Sequence, residues 1–203
     1  MSHYVLVHGS WCGGWVWDDI AARLRAGGHT VETPTLSEGS GLHQHIDEVV
    51  SLLEPDDVTL VGHSYGGMVI TGAASCAQVR EAVYLDAFLP RPGESAFDLL
   101  PMLRGLFAEA AAGETVPPFG FDRFGMTDPA FLARLRPISI ATHTEALPRA
   151  AVSPQRYVLF GSQSLFAGMA GRASQCQVLE TGHFGLVTDP DTVHSAIIER
   201  PAP

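Results

Sequence analysis

The 203-residue sequence predicts an α/β protein with about six mostly parallel strands flanked by helices. Short apolar runs alternate with stretches of helical spacing, which is typical of a parallel sheet whose strands are connected by helices. Hydrophobic residues make up 46% of the chain and charged residues 17%, enough apolar material for a buried core. With 21 glycines and 14 prolines, many tight turns are expected. The length corresponds to one domain, or to one domain that carries an insertion.

The predicted strands are short apolar runs that end at glycine, proline or a polar loop. Such runs are expected where both faces of a sheet are covered by helices. In chain order they are Tyr4–His8, Thr30–Thr33, Val58–Val61, Ala82–Leu85, Tyr157–Phe160 and Gln177–Leu179. Because parallel strands present their carboxyl ends at one edge of the sheet, functional residues are expected there.

Stretches with apolar residues at helical spacing connect these strands. The predicted helices between the first four strands are Trp15–Ala26, Ile46–Leu53 and Met68–Cys76. Residues 37–45 are predicted as a polar loop, and Glu54-Pro55 as the end of the second helix. The last helix is predicted to begin at Pro190, with Asp189 as its N-cap.

The segment between the fourth and fifth strands has a different composition. Eight prolines occur from Pro90 to Pro148, and helical patterns are limited to Leu99–Ala112 and Ala130–Leu135. A connection of this length is uncommon inside a compact domain unless it carries a function. We therefore expect residues 1–90 and 150–203 to form the core, and residues 91–149 to form a cap or lid inserted into it.

The charge balance excludes several classes of protein. A formal net charge of −10 disfavours nucleic acid and anionic membrane surfaces as partners, since both are bound through basic patches. All 12 basic residues are arginine, so mechanisms that need a lysine, such as a P-loop or a Schiff base, are excluded. The expected partner is a small-molecule substrate, and a homodimer is compatible with the sequence.

Cysteine usage and the terminal sequence bear on the compartment. Cys12, Cys76 and Cys176 are odd in number and widely spaced, which disfavours a disulfide framework and a zinc site. No secretory signal and no apolar run of about 20 residues is visible, so neither export nor a membrane span is predicted. We expect a cytoplasmic protein with no metal and no cofactor.

A G-x-S-x-G motif at Gly62–Gly66 lies between the third strand and the following helix. A sharp strand-to-helix turn strains the serine backbone and leaves no room for a side chain at positions 62 and 66. It lifts the Ser64 hydroxyl above the sheet and places the backbone N–H of Tyr65 at a helix N-terminus, where it can stabilise an oxyanion. We therefore interpret Ser64 as a nucleophile, with a structural glycine turn as the alternative.

The loop after the first strand is the expected source of a second oxyanion donor. It reads His8-Gly9-Ser10-Trp11, and the backbone N–H of Ser10 is the candidate. A simple glycine turn is the alternative interpretation. His8 itself is expected to be a structural histidine that braces this loop.

A serine nucleophile needs a base, and His183 is the candidate. It follows the last predicted strand, which puts an imidazole at the carboxyl edge of the sheet, within reach of Ser64. His63 adjoins the nucleophile and is expected to point elsewhere, and His43 and His45 form an H-x-H pair without an obvious third metal ligand. The histidines predicted to be ordinary surface or cap residues are His3, His29, His143 and His194.

Five segments in the order of the chain carry a resemblance to a known family. They are His8-Gly9, Trp11–Trp17, Gly62–Gly67, Tyr84–Pro90 and Thr181–His183. Together they resemble the α/β-hydrolases, specifically the small esterase branch that includes plant methylesterases, hydroxynitrile lyases and their bacterial relatives. The resemblance covers nearly the whole chain. It implies an α/β-hydrolase fold with a small helical cap between the fourth and fifth strands, and a triad of serine, histidine and an acid.

The position of the acid departs from the plant members of this family. There the acid follows the strand that corresponds to Tyr157–Phe160, whereas this chain has Gly161–Ser164 at that turn, with Gln163 and no carboxylate. Asp86 follows the preceding strand, whose end faces the same histidine, and the order serine, aspartate, histidine fits the family. We therefore expect Asp86 to be the acid. The alternatives are a cap-hinge hydrogen bond for Asp86, and a Ser–His dyad without an acid.

The substrate pocket is expected between the sheet edge and the cap. Its candidate wall residues suit an apolar or aromatic group, although each is equally compatible with a place in the core. They are Gly9, Trp11, Phe88, Met102 and Phe184. Resemblance to the hydroxynitrile lyases would require a lysine after the catalytic histidine and a hydroxyl residue after His8. Phe184 and Gly9 stand at those positions, which disfavours cyanohydrin cleavage.

The leading functional hypothesis is hydrolysis of a carboxylic ester, or a related lactone or thioester, through an acyl-enzyme. A second hypothesis keeps the fold but not the hydrolysis, as a lyase, cyclase or dehydratase that acts on a natural product. A third is a non-catalytic protein that binds a ligand. Intact Ser64 and His183 count against the third, since a receptor needs neither side chain.

Overall fold

A computed structural model describes residues 2–53, 58–149 and 154–199 of the chain. Its central element is a six-stranded sheet in which every neighbouring pair of strands is parallel. The strands are β1 His3–Val7, β2 Thr30–Glu32, β3 Val58–His63, β4 Glu81–Leu85, β5 Thr115–Val116, β6 Ile138–Ser139, β7 Gln155–Phe160 and β8 Gln175–Leu179. The sheet order is β2-β1-β3-β4-β7-β8, while β5 and β6 form a separate antiparallel pair. The predicted fold class, with six parallel strands, is confirmed.

Helices connect the strands and cover both faces of the sheet. They are α1 Asp18–Ala26, α2 Leu42–Val50, α3 Gly66–Cys76, α4 Ala96–Leu99, α5 Met102–Ala110, α6 Pro129–Leu132, α7 Ala141–Thr144, α8 Ala167–Ala170, α9 Gly185–Thr188 and α10 Pro190–Ile198. Short 3₁₀ helices occur at Gly14–Trp17 and Phe121–Phe124. The side chain of Asp189 accepts a hydrogen bond from the Thr192 amide and caps α10, as predicted. No helix in the described part of the chain is long and apolar enough to cross a membrane.

Two apolar layers sandwich the sheet because side chains alternate between its faces along each strand. Val5 and Val7 of β1 belong to the layer that contains α2 and α3, and Tyr4 and Leu6 belong to the opposite layer with α1 and α10. β1 lies inside the sheet, with β2 on one side of it and β3 on the other, so the direction in which successive strands are added reverses at β1. Ligands of parallel sheets bind at such a reversal, outside the carboxyl ends of the strands.

The second helix differs from its prediction. It begins at Leu42 rather than at Ile46, so the last four residues of the predicted loop at 37–45 form the first turn of the helix. The physical reason is the spacing of Leu42, Ile46 and Val49, which are all buried and lie on one face of α2. The predicted end of this helix at Glu54-Pro55 lies outside the described residues.

The segment between β4 and β7 contains the helices α4 to α7 and the β5–β6 pair. The patch predicted at Leu99–Ala112 is divided at Pro101, with α4 before it and α5 after it. The two-residue strands β5 and β6 carry too few residues to show a period, and the sequence did not predict them. The division into a core and a cap stays a prediction, and its boundary at residue 150 lies outside the described residues.

Candidate active site

Ser64 follows β3 directly and precedes α3. Its φ of 53° lies in the left-handed region, where side chains other than glycine are strained. Neighbouring backbone makes this turn unusually tight. A Cβ atom on Gly62 would lie 2.7 Å from the Gly66 carbonyl oxygen, and one on Gly66 would clash with the Val7 carbonyl oxygen. The motif therefore needs its glycines for space, as the sequence predicts.

Asp86 follows β4, the neighbour of β3, and is 1% exposed. Its φ of 45° is also in the left-handed region. The carboxylate accepts three hydrogen bonds: from His183 Nδ1 at 2.6 Å, from Ser164 Oγ at 2.5 Å and from the Phe160 amide at 3.3 Å. Three donors around one buried carboxylate fix its orientation.

His183 lies in the turn after β8, with its side chain 9% exposed. Because Nδ1 donates its proton to Asp86, the neutral imidazole has its lone pair on Nε2 and can act there as a base. The ring of Phe166 stacks on the imidazole at 5.4 Å, and the ring of Phe124 lies 4.8 Å from it. The imidazole is thus held at one nitrogen by a carboxylate and on its faces by aromatic rings.

His63 also contacts His183, although the sequence analysis expected it to point elsewhere. Its ring centroid lies 4.6 Å from that of His183, and its Nε2 donates to the His183 carbonyl oxygen at 2.8 Å. Complete burial lowers the pKa of His63 well below its usual value, so the ring is neutral. His63 therefore supports the turn that carries His183, and only its place in the tertiary structure reveals this.

Two backbone amides lie beside Ser64. A Cβ atom on Gly9 would lie 2.9 Å from Ser64 Cβ, which brings the loop after β1 against the serine. Within the described residues, neither the Ser10 amide nor the Tyr65 amide donates a hydrogen bond to another protein group.

His8 braces this loop, as the sequence predicts. Its Nδ1 donates to the Gly9 carbonyl oxygen at 2.8 Å, and its Nε2 accepts from the Leu36 amide at 3.0 Å. Burial lowers its pKa to about 4, so it is neutral at ordinary pH. His45 has a similar role, because it accepts from the Tyr65 hydroxyl at 2.9 Å and donates to the Ser37 carbonyl oxygen at 3.0 Å.

The H-x-H pair does not form a metal centre in the described structure. His43 Nε2 bonds to the Ala146 carbonyl oxygen at 2.9 Å, while His45 is occupied by Tyr65 and Ser37. Among residues 2–53, 58–149 and 154–199, no group of three or more histidine, cysteine or acidic side chains could hold a metal ion.

A cavity of about 640 Å³ opens beside Ser64, Asp86 and His183, all of which line it. Its walls are mainly aromatic and aliphatic and come from the sheet edge and from the segment after β4. All the wall residues predicted from the sequence line this cavity: Gly9, Trp11, Phe88, Met102 and Phe184. Gln163 also lines it, but the acidic group in contact with His183 is Asp86.

Two residues of this region were missed by the sequence analysis. Ser164 donates to Asp86 from the turn after β7, the turn at which the family resemblance implies an acid. His143, expected to be an ordinary surface or cap residue, is instead 2% exposed and lines the cavity. Its burial arises because α7 packs it among rings from other elements, which no local pattern shows.

Comparison with known proteins gives a consistent result. A model of the alpha/beta hydrolase family matches residues 4–196. Carbendazim hydrolyzing esterase of Nocardioides sp. (strain SG-4G) is 49% identical over 116 residues, which are 50% of this chain and 48% of that protein. Methylesterase 1 of Arabidopsis thaliana is 33% identical over 144 residues, which are 62% of this chain and 54% of that protein. The chain thus spans about half the length of these curated relatives.

Among solved structures, an extracellular alpha/beta-hydrolase from a Paenibacillus species is similar over almost the entire chain. The TM-score is 0.82, and the match covers 98% of this chain and 98% of the other at 22% sequence identity. At that identity the likeness shows the fold, including the parallel sheet that carries Ser64, Asp86 and His183.

Proposed function

The chain belongs to the alpha/beta hydrolase family, and we propose that it is a serine esterase with the triad Ser64, Asp86 and His183. The observation that carries the proposal is the 2.6 Å hydrogen bond between His183 Nδ1 and Asp86, in the wall of a cavity that Ser64 also lines. A buried carboxylate that fixes the tautomer of a histidine is the arrangement by which serine nucleophiles are activated.

In the proposed first half-reaction, Ser64 Oγ attacks the carbonyl carbon of the ester while His183 Nε2 takes the hydroxyl proton. Asp86 stabilises the imidazolium that forms, and the amides of Ser10 and Tyr65 donate to the oxyanion of the tetrahedral intermediate. The carbon–oxygen bond to the alcohol then breaks. His183 returns its proton to the departing alcohol, which leaves an acyl group on Ser64.

In the second half-reaction, water gives its proton to His183 and adds to the acyl carbon. The bond to Ser64 Oγ breaks, His183 returns the proton to the serine oxygen, and a carboxylic acid leaves. The aromatic rings of Phe124 and Phe166 on His183 limit access of bulk water, so the charges of the transition state act in a medium of low dielectric constant.

The aromatic and aliphatic walls of the cavity support a small ester with an apolar or aromatic group as the substrate. The names of the relatives agree with this class, since one is an esterase that hydrolyses carbendazim and another is a methylesterase. Cyanohydrin cleavage would need a lysine at position 184 and a hydroxyl residue at position 9. This chain has Phe184 and Gly9 there, so we propose hydrolysis rather than that lyase reaction.

The nucleophile is tested by a fluorophosphonate, which phosphonylates an activated serine. We expect an increase in intact mass for the wild type and none for Ser64→Ala, together with a loss of p-nitrophenyl acetate hydrolysis of about 10⁶-fold in kcat. Ser162→Ala, which removes an exposed hydroxyl from a nearby turn, is the control, and the fluorophosphonate should label this variant to the same extent as the wild type. Equal labelling of wild type and Ser64→Ala, or no labelling of either, would reject the proposal.

A further inference from the structure

His143 is a buried histidine in the cavity wall that the proposed mechanism does not use. Its ring centroid lies 4.3 Å from that of Phe107 and 5.4 Å from that of Tyr65. The rings of Phe88 and Phe97 lie within 6.1 Å and 5.7 Å. Burial among these groups lowers the pKa of His143 to about 3, so the imidazole is neutral and has one donor and one acceptor nitrogen.

Thr142 determines which nitrogen of His143 carries the proton. The hydroxyl oxygen of Thr142 donates to the Ser139 carbonyl oxygen at 2.6 Å and lies 2.8 Å from His143 Nδ1. A hydroxyl has one hydrogen, and the Ser139 carbonyl can only accept, so Thr142 must accept from Nδ1. The lone pair of the neutral ring is therefore on Nε2.

Nε2 of His143 lies 3.5 Å from Ser10 Oγ, at the long limit of a hydrogen bond. Ser10 and His143 both line the cavity that contains Ser64. The amide of the same Ser10 is the proposed oxyanion donor, so a substrate whose carbonyl oxygen reaches this amide has its next atoms close to His143. A weakly satisfied acceptor thus lies in an aromatic wall beside the reacting carbonyl.

Building on the esterase function proposed above, we propose that His143 is a specificity-determining residue whose Nε2 accepts a hydrogen bond from the substrate. The class of substrate that fits is an ester or carbamate with an O–H or N–H group a few bonds from the carbonyl carbon. When the substrate lacks this donor, the buried Nε2 of His143 keeps only its long contact with Ser10. A buried polar group that loses its partner costs free energy, so the site should discriminate strongly against such a substrate.

Two matched pairs of substrates test this inference. Methyl mandelate carries an α-hydroxyl that is a methyl group in methyl 2-phenylpropanoate, and methyl N-phenylcarbamate carries an N–H that is methylated in methyl N-methyl-N-phenylcarbamate. For the wild type we expect at least one pair to show a preference of about tenfold or more in kcat/KM for the donor-bearing member.

The variants of His143 separate recognition from packing. His143→Phe keeps an aromatic ring without an acceptor and should bring the preference to about onefold, because kcat/KM for the donor-bearing member falls more than kcat/KM for the donor-free member. His143→Gln offers an amide oxygen near the position of Nε2 and should keep part of the preference. As a matched control, Phe107→Leu alters the same wall without removing an acceptor and should change both members of a pair in equal proportion.

The inference is overturned if the wild type shows no preference in either pair, or if His143→Phe keeps the preference. It is also overturned if His143→Phe lowers both members of a pair equally, since that result indicates a purely structural histidine. Failure of the esterase function itself has a different signature. In that case Ser64 takes up no fluorophosphonate and none of the four substrates is hydrolysed.

Discussion

The carboxyl edge of the sheet and the segment between β4 and β7 surround the same cavity but are built differently. At the sheet edge, the backbone is strained and the polar groups are densely hydrogen-bonded. Among the described residues, the non-glycine residues with positive φ are Trp11, Ser64 and Asp86, and all three follow strands of the sheet. The segment after β4 instead contributes rings such as Phe107, with the neutral His143 between them.

The two regions differ in how rigidly the backbone is held. A strained residue costs about 1–3 kcal/mol and persists where its surroundings determine its conformation, as the buried parallel strands β3 and β4 do. The short helices and the antiparallel pair β5–β6 in the segment after β4 do not hold the backbone in this way. We therefore expect changes at the sheet edge to alter turnover of every substrate, and changes in the segment after β4 to alter the choice among substrates.

The largest expected effect is that of Asp86→Asn. An amide cannot stabilise the imidazolium of His183 and can hold the ring in the wrong tautomer, so kcat should fall about 10³–10⁴-fold on all esters alike. Gln163→Ala, in the turn where plant relatives carry their acid, should change kcat by less than about threefold. Steady-state kinetics and circular dichroism of both variants check the expectation, and the opposite ranking would reject Asp86 as the acid.

A second effect concerns stability in acid and arises from buried neutral histidines in both regions. Burial lowers the pKa of His8 to about 4 and that of His143 to about 3, below the unfolded value of about 6.5. Between these values the unfolded state binds more protons than the folded state. The free energy of unfolding therefore rises with pH in this window, and acidification below about pH 6.5 removes about 1.4 kcal/mol per pH unit for each histidine.

The variant His143→Phe isolates the contribution of the segment after β4. Relative to the wild type, it should lose about 2 kcal/mol less stability between about pH 6.5 and about pH 4.5. Urea unfolding followed by tryptophan fluorescence at the two pH values measures this difference. Identical losses in the two proteins would show that His143 does not resist protonation in the folded state.

The smallest expected effect is that of Ser164→Ala. It removes one of three donors to Asp86 and leaves the hydrogen bond to His183, so kcat should fall about tenfold with KM unchanged on every ester. Ser164→Thr keeps a hydroxyl and should recover most of the activity. Ser162→Ala, an exposed serine of the same turn, is the control. A rise in KM with constant kcat would place Ser164 in substrate binding instead of in the orientation of Asp86.

Much of the fold was predictable because strands buried on both faces are continuous apolar runs, and the predicted strands agree with the structure to within two residues at each end. The start of α2 was predicted wrongly, since its first turn contains His43 and His45, which have no apolar signal. The ribbon of β5 and β6 was missed because two residues carry no period. The histidines His63 and His143 were misplaced because their surroundings come from distant parts of the chain.

Elements that depend on neighbours in the chain follow directly from the amino-acid sequence: the parallel strands, the tight turn at Ser64, and Asp86 and His183 at the ends of strands. How these residues meet depends on contacts between distant parts of the chain. The hydrogen bonds from Ser164 and His183 to Asp86 span 78 and 97 positions and depend on the register between β4 and β7, and on the turn after β8. The burial of His143 is likewise a tertiary effect, because the rings of Tyr65 and Phe107 that pack against it come from distant parts of the chain.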